Sequence, residues 1–187
     1  MSIPVPPSEP NSLPYKIACL CDLRDEQGRV LMLKRLKHPN FGLCSPIGGK
    51  LDTHTGESPA QCAVREIAEE AEIDVPIDRI RLIGMVSERA YEGKTHWLMF
   101  VYRVLGSVSV KTGMTREGEL FWVEPSQIES LDLPESDRKV IWPLVREVAP
   151  DALTDEPGFF AVHIDCDGDE MTWNVEQLTK PANTHAN

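Results

Sequence analysis

The sequence predicts an α+β fold: a mixed β-sheet held between two helices, closed by a C-terminal β-hairpin, in a single domain over residues 15–178. Three observations predict it. Short apolar, β-rich runs separated by turn residues recur along the chain. Only two segments carry helical periodicity. The strands also follow one another without the strand–helix–strand alternation that builds a parallel sheet. The chain has 187 residues, 41% of them hydrophobic and 26% charged, enough to bury one sizeable core.

Residues 1–14 are proline-rich and lack a basic-then-apolar order, so they read as a flexible lead-in rather than a signal peptide. Tyr15–Leu23 is an apolar strand. The turn Asp25-Glu26-Gln27-Gly28 follows, then a second strand at Arg29–Leu36, and the two are expected to form a hairpin. His38-Pro39-Asn40 marks a loop, and paired glycines at Gly48-Gly49 permit backbone conformations closed to other residues. A helix starts at Ser58, with Pro59 at its first position and Gln61 completing a capping box. It runs to Ala71, with Ala60, Ala63, Val64, Ile67 and Ala71 as its buried stripe. Ile80–Tyr91 and Thr95–Leu105 flank Glu92-Gly93-Lys94 as a second hairpin. Glu119–Val123 is a short strand, Pro134–Val148 a helix, and residues 158–176 a third hairpin around Cys166-Asp167-Gly168-Asp169. Residues 179–187 form a tail.

Nineteen Lys and Arg against thirty Asp and Glu give a net charge of −11. Such a chain repels phosphate polymers and anionic bilayers, so neither long nucleic acid nor membrane is an expected partner. Cys19, Cys21, Cys44, Cys62 and Cys166 contain no CxxC pair. They read as buried thiols of a protein in the reducing cytoplasm. The five histidines share no ligand spacing.

The chemistry concentrates at Arg65-Glu66-Ile67-Ala68-Glu69-Glu70. On a helix Glu66, Glu69 and Glu70 stand at i, i+3 and i+4, so three carboxylates crowd one face and repel unless a cation offsets them. A solvated acidic face is the bland alternative. The apolar stripe opposite fixes the direction of this face, however, and clustered hard oxygens suit Mg²⁺, with Mn²⁺ as substitute. A metal would also let an acidic protein hold an acidic substrate.

The stretch from Gly48-Gly49 through Glu57 to Arg65-Glu66-Ile67-Ala68-Glu69-Glu70 resembles the signature of the Nudix hydrolases. Two departures stand out. Seven residues separate Gly49 from Glu57, two more than in the family pattern, so Asp52–Thr55 is expected to form a longer loop. Glu72 stands where a glycine usually ends the helix, so another ending is expected. The resemblance implies an α/β/α sandwich and a Mg²⁺-dependent pyrophosphohydrolase of nucleoside di- or triphosphate derivatives. It is similar to the branch that converts an NTP or oxidised dNTP to the monophosphate and pyrophosphate, as 8-oxo-dGTP diphosphatases do. Hydrolysis of dinucleotides or nucleotide sugars, and a catalytically silent ligand-binding module, stand as alternatives. A homodimer is left open.

The same resemblance assigns roles. Glu66, Glu69 and Glu70, with the Gly48 carbonyl, would hold metal, and Glu66 is preferred as general base. Arg65 would orient the glutamates. Glu57 is either a metal ligand or the partner of Arg65. Glu117, in Arg116-Glu117-Gly118-Glu119, would add a metal-side carboxylate. Arg35 and Lys50 face phosphate as substrate-binding cations. Ser45 and Glu135 occupy places where the oxidised-purine branch reads the base.

Overall fold

The structure, a computed structural model, describes residues 13–38, 40–150 and 156–181. Most of the expected lead-in and of the tail lies outside these residues. The strands are β1 (Tyr15–Asp22), β2 (Val30–Arg35), β3 (Cys44–Ser45), β4 (Ile80–Tyr91), β5 (Thr95–Val104), β6 (Gly113–Met114), β7 (Gly118–Val123), β8 (Phe159–Asp165) and β9 (Thr172–Thr179). Among the described residues there are two α-helices, α1 (Pro59–Ala71) and α2 (Trp142–Val148), besides short helical turns. A five-stranded mixed sheet runs β1-β5-β4-β8-β9 and a four-stranded sheet runs β3-β2-β7-β6.

The expected hairpin between the first two strands is corrected. Its turn exists: the Asp25 carboxylate accepts from the amides of Gln27 and Arg29, and Leu31 donates to the Leu23 carbonyl at 3.0 Å. Beyond this tip the strands part. β1 pairs in parallel with β5, and β2 pairs antiparallel with β3 and β7. Both strands are apolar on two faces, and a lone hairpin cannot cover four such faces. Splitting them between two sheets places each strand against a core.

One face of β1, carrying Cys19 and Cys21, packs with Cys62, Ala63 and Ile67 of α1. Cys19, Cys21, Cys44 and Cys62 are buried free thiols, as expected, whereas Cys166 is a free thiol only half-buried. The other face, with Ala18, meets Val86, Met99 and Val101 and a cluster that includes Trp142 and Val145 of α2. The helices therefore cover opposite faces. The outer edge of β1 is taken by the glycine segment: Cys19 and Cys21 donate to the carbonyls of Gly49 and Ile47 at 2.9 and 2.7 Å. A Cβ on Gly48 would lie 2.2 Å from the Cys19 carbonyl oxygen, which is why glycine stands there.

α1 begins as expected, with the Ser58 and Gln61 capping box formed in both directions. Its end is a correction. Glu72 itself takes the left-handed conformation, φ 55° and ψ 36°, so the usual stop is kept without its usual residue. The second helical segment is also modified. Asp137–Ile141 forms a π-helical turn before α2, with the Trp142 amide donating to the Asp137 carbonyl five residues back. Pro143 has no N–H to continue the α ladder, and a local slip of register accommodates it.

The β4–β5 and β8–β9 hairpins form as expected, the latter continuing to Thr179. A buried ion cluster joins the core to the end of α2. Asp22 pairs with Arg24 at 2.9 Å and Arg103 at 2.6 Å, and Arg103 also donates to the Ala149 carbonyl. Burial alone would raise the Asp22 carboxyl. The two guanidiniums outweigh it and hold Asp22 below the usual carboxylate range.

Candidate active site

A cavity of about 770 Å³ opens beside β1, a size suited to a small organic ligand. Arg35, Ser45, Gly48, Lys50, Glu66, Glu69, Glu70 and Glu117 all line it. The elements explain the convergence. β1 carries the glycine segment on its edge, α1 packs on the strand beside that segment, and the loop before β7 brings Glu117 across.

Arg65 is the hub of the carboxylate group. Its guanidinium donates to Glu57 at 2.7 and 3.1 Å, to Glu66 Oε1 at 2.7 Å, to Glu69 Oε2 at 3.3 Å and to the Lys50 carbonyl at 3.1 Å. Glu57 spends both oxygens on Arg65, and its Oε1 also accepts from the Asp52 amide at 2.6 Å. Arg65 holds this carboxyl down at about 2. Of the two roles open to Glu57, the geometry matches that of partner to Arg65; it does not line the cavity. Asp52–Thr55 forms the expected longer loop, with the Asp52 carboxylate accepting from the amides of His54 and Thr55.

Glu70 is 8% exposed and accepts from the Gly48 amide at 3.0 Å. Burial raises its carboxyl to about 7 against the pull of that amide. Glu66 is raised too, by burial first, with Arg65 opposing. Among the described residues no three acidic, imidazole or thiol groups converge into a closed metal cage. A closed cage is not what Mg²⁺ requires, since it keeps waters and takes substrate phosphates beside one or two carboxylates. The donor set fits a hard divalent cation in another respect. A Cβ on Gly49 would lie 2.3 Å from the Glu66 carboxylate, so the bare glycine makes the space in which Glu66 sits.

Glu117 forms an ion pair with Lys37 at 2.5 Å at the cavity rim. Glu135 is corrected: it does not line the cavity and pairs with Lys139 at 2.5 Å, both about half exposed. Its neighbours Ser136 and Asp137 line the cavity instead, with Glu88 of β4. Asp137 and Glu88 escaped the sequence analysis. Glu88 did leave a signal there, as a lone charge alternating with Val86 and Ala90 on the buried parity of an apolar strand. The Ser45 hydroxyl is buried and has no hydrogen-bond partner among the described residues.

The family model described as NUDIX domain matches residues 14–144, well over half of the chain and including every cavity residue named above. The chain belongs to the Nudix family. This Nudix chain is 30% identical over 128 residues to an 8-oxo-dGTP diphosphatase of Haemophilus influenzae, covering 67% of this chain and 88% of that protein. A crystal structure of a MutT protein from Methanosarcina mazei matches with TM-score 0.58 and 27% identity, over 68% of this chain and 91% of the other. A MutT protein from Bacillus halodurans (TM-score 0.63, 24% identity, 86% and 97% covered) and the NUDIX domain of Shewanella oneidensis NrtR, solved with ADP ribose (0.58, 20%, 75% and 93%), share the fold. The chain is thus a MutT-like Nudix hydrolase acting on phosphoric anhydride bonds, in a family that uses divalent metal and binds nucleotides. Among the described residues no helix is long and apolar enough to cross a membrane.

Proposed function

We propose that the chain is a Mg²⁺-dependent pyrophosphohydrolase that cleaves a nucleoside triphosphate, an oxidised purine dNTP among the candidates, to the monophosphate and pyrophosphate. The observation that carries this is the complete carboxylate set of α1, lining a nucleotide-sized cavity beside the glycine segment. The name of the Haemophilus influenzae relative supports the substrate class. Glu66, Glu69 and Glu70, with the Gly48 carbonyl, would hold the metal, and Glu117 stands at the rim to add a carboxylate. When bound, the cation neutralises charge on the phosphate oxygens and lowers the pKa of the attacking water.

The chain's own groups do the rest. Arg65 fixes Oε1 of Glu66, which leaves Oε2 to take the proton of the water as general base. Arg65 also spans Glu57 and Glu69, so the carboxylates keep their spacing while no metal is bound. Arg35 and Lys50, both lining the cavity, supply positive charge for the phosphates. The test is a phosphate-release screen over nucleoside triphosphates, dinucleotides and nucleotide sugars with Mg²⁺, run beside Glu69→Gln. Turnover of a triphosphate that needs Mg²⁺ and fails in the variant supports the proposal; wild-type activity in the variant contradicts it.

A further inference from the structure

The turn that carries Glu117 is built tightly. The Thr115 amide donates to the Gly118 carbonyl at 2.7 Å, and the Thr115 hydroxyl oxygen accepts from the amides of Glu117 and Gly118, both at 3.2 Å. A Cβ on Gly118 would lie 2.0 Å from the Lys34 carbonyl oxygen, so the turn sits directly against β2. The Leu36 amide donates to the Glu117 carbonyl at 2.9 Å and joins the turn to the segment that leaves β2. This backbone clamp holds Lys37 beside Glu117, although the two are 80 positions apart in sequence.

The charges around Glu117 are not balanced by the carboxylate helix. Of the glutamates that line the cavity, Arg65 reaches Glu66 and Glu69. Glu70 is repelled by Glu66 and by Glu117, with Arg35 pulling the other way. Glu117 has its own counter-ion in Lys37, at 2.5 Å. Arg116, its neighbour in sequence, lines the cavity and forms no ion pair among the described residues. The Lys37 side chain is 53% exposed and that of Glu117 36%, so water competes for both partners. An exposed pair of this kind is weak and is easily exchanged.

We infer that Lys37 is a positioning residue: its ammonium holds Glu117 at the cavity rim in the metal-free protein and competes with a divalent cation for that carboxylate. The inference rests on the metal site of the proposed function. A divalent cation carries twice the charge of the ammonium and has no side-chain freedom to lose, so it wins the exchange. The released ammonium stays tethered at the rim, and a substrate phosphate is the next anion within its reach. Lys37 therefore weakens the binding of metal alone and strengthens the binding of metal together with phosphate. The site is fully assembled only when substrate arrives.

The experiment titrates Mn²⁺ into the metal-free protein and reads free Mn²⁺ by electron paramagnetic resonance. Wild type is compared with Lys37→Met, Glu117→Gln, the double variant and Arg116→Met. Lys37→Met should bind Mn²⁺ about threefold to fivefold more tightly, the range an exposed pair supports. That gain should vanish in the Glu117→Gln background, and Arg116→Met should show little of it. No gain in Lys37→Met overturns the inference. So does a gain that persists without Glu117 or that Arg116→Met matches, because Lys37 then acts only through its general field. Kinetics with Mg²⁺ and the best nucleoside triphosphate form the second arm. KM should rise about threefold or more in Lys37→Met with a smaller loss of kcat, while Lys37→Arg, which keeps the charge, restores KM. An unchanged KM overturns the release of Lys37 to phosphate. Absent turnover with the Mn²⁺ pattern intact removes the proposed function and keeps the competition of Lys37 for Glu117.

Discussion

Asp137 couples the stability of the metal-free protein to pH in a direction opposite to most acidic groups. Its carboxyl stands at about 7 in the fold, with Glu88 and Tyr91 as the titratable neighbours that interact with it. In the unfolded chain an aspartate titrates near ~3.9. Between these values the folded state holds a proton that the unfolded state has released. Stability contributed by the neutral acid is therefore complete below pH ~4, falls as pH rises through the window, and levels off above ~7. Three units correspond to about 4 kcal/mol. Asp137→Asn keeps the shape and removes the titration, so the variant should gain on the wild type by up to about 4 kcal/mol between pH 4 and 8. Urea unfolding in EDTA at several pH values reads this as a difference between the two proteins. That subtraction cancels carboxyls which titrate alike in both. A difference that stays constant with pH would refute the reasoning.

Other outcomes follow from contacts described above. Asp22→Asn leaves two guanidiniums in the core without their charge partner and should cost about 3–5 kcal/mol in urea unfolding. Because Asp22 is held low, the stability it contributes is lost only as pH falls below ~4, a window separate from that of Asp137. Glu72→Gly relieves a side chain held at positive φ and should stabilise the protein by about 1 kcal/mol, seen as a rise in Tm; a lower Tm would show that Glu72 makes contacts worth more than that strain. Gly49→Ala pushes a Cβ into the Glu66 carboxylate and should lower kcat/KM by about a hundredfold with little change in Tm. Unchanged kcat/KM would mean that the position of Glu66 is not critical.

The parts of this molecule governed by local chemistry were legible in its sequence. The capping box at Ser58 and Gln61, the carboxylate face of α1 and the β4–β5 turn depend on residues a few positions apart. Strand partnership does not. The turn at Asp25–Gly28 predicts a hairpin, but the choice of β5 and β7 as partners is made by apolar faces far away in sequence. Glu135 shows a subtler failure. The resemblance places the carboxyl at Glu135, whereas in the fold Glu135 is exposed beside Lys139 and Asp137, two residues on, lines the cavity. Glu88 was missed because, in a strand that also carries Arg81 and Arg89, its charge announces a site only once its face is known to be buried. The expectation at Glu72 failed because a non-glycine residue can hold the left-handed conformation when the helix and loop on either side impose it.

Product analysis tests the central claim most directly. The protein is incubated with the best nucleoside triphosphate and Mg²⁺ in ¹⁸O-labelled water, and the products are resolved by mass. A site built on the carboxylate helix should give the monophosphate and pyrophosphate, with one labelled oxygen in one of the two, and no turnover when EDTA removes the metal. Release of γ-orthophosphate, or hydrolysis that persists in EDTA, would contradict it.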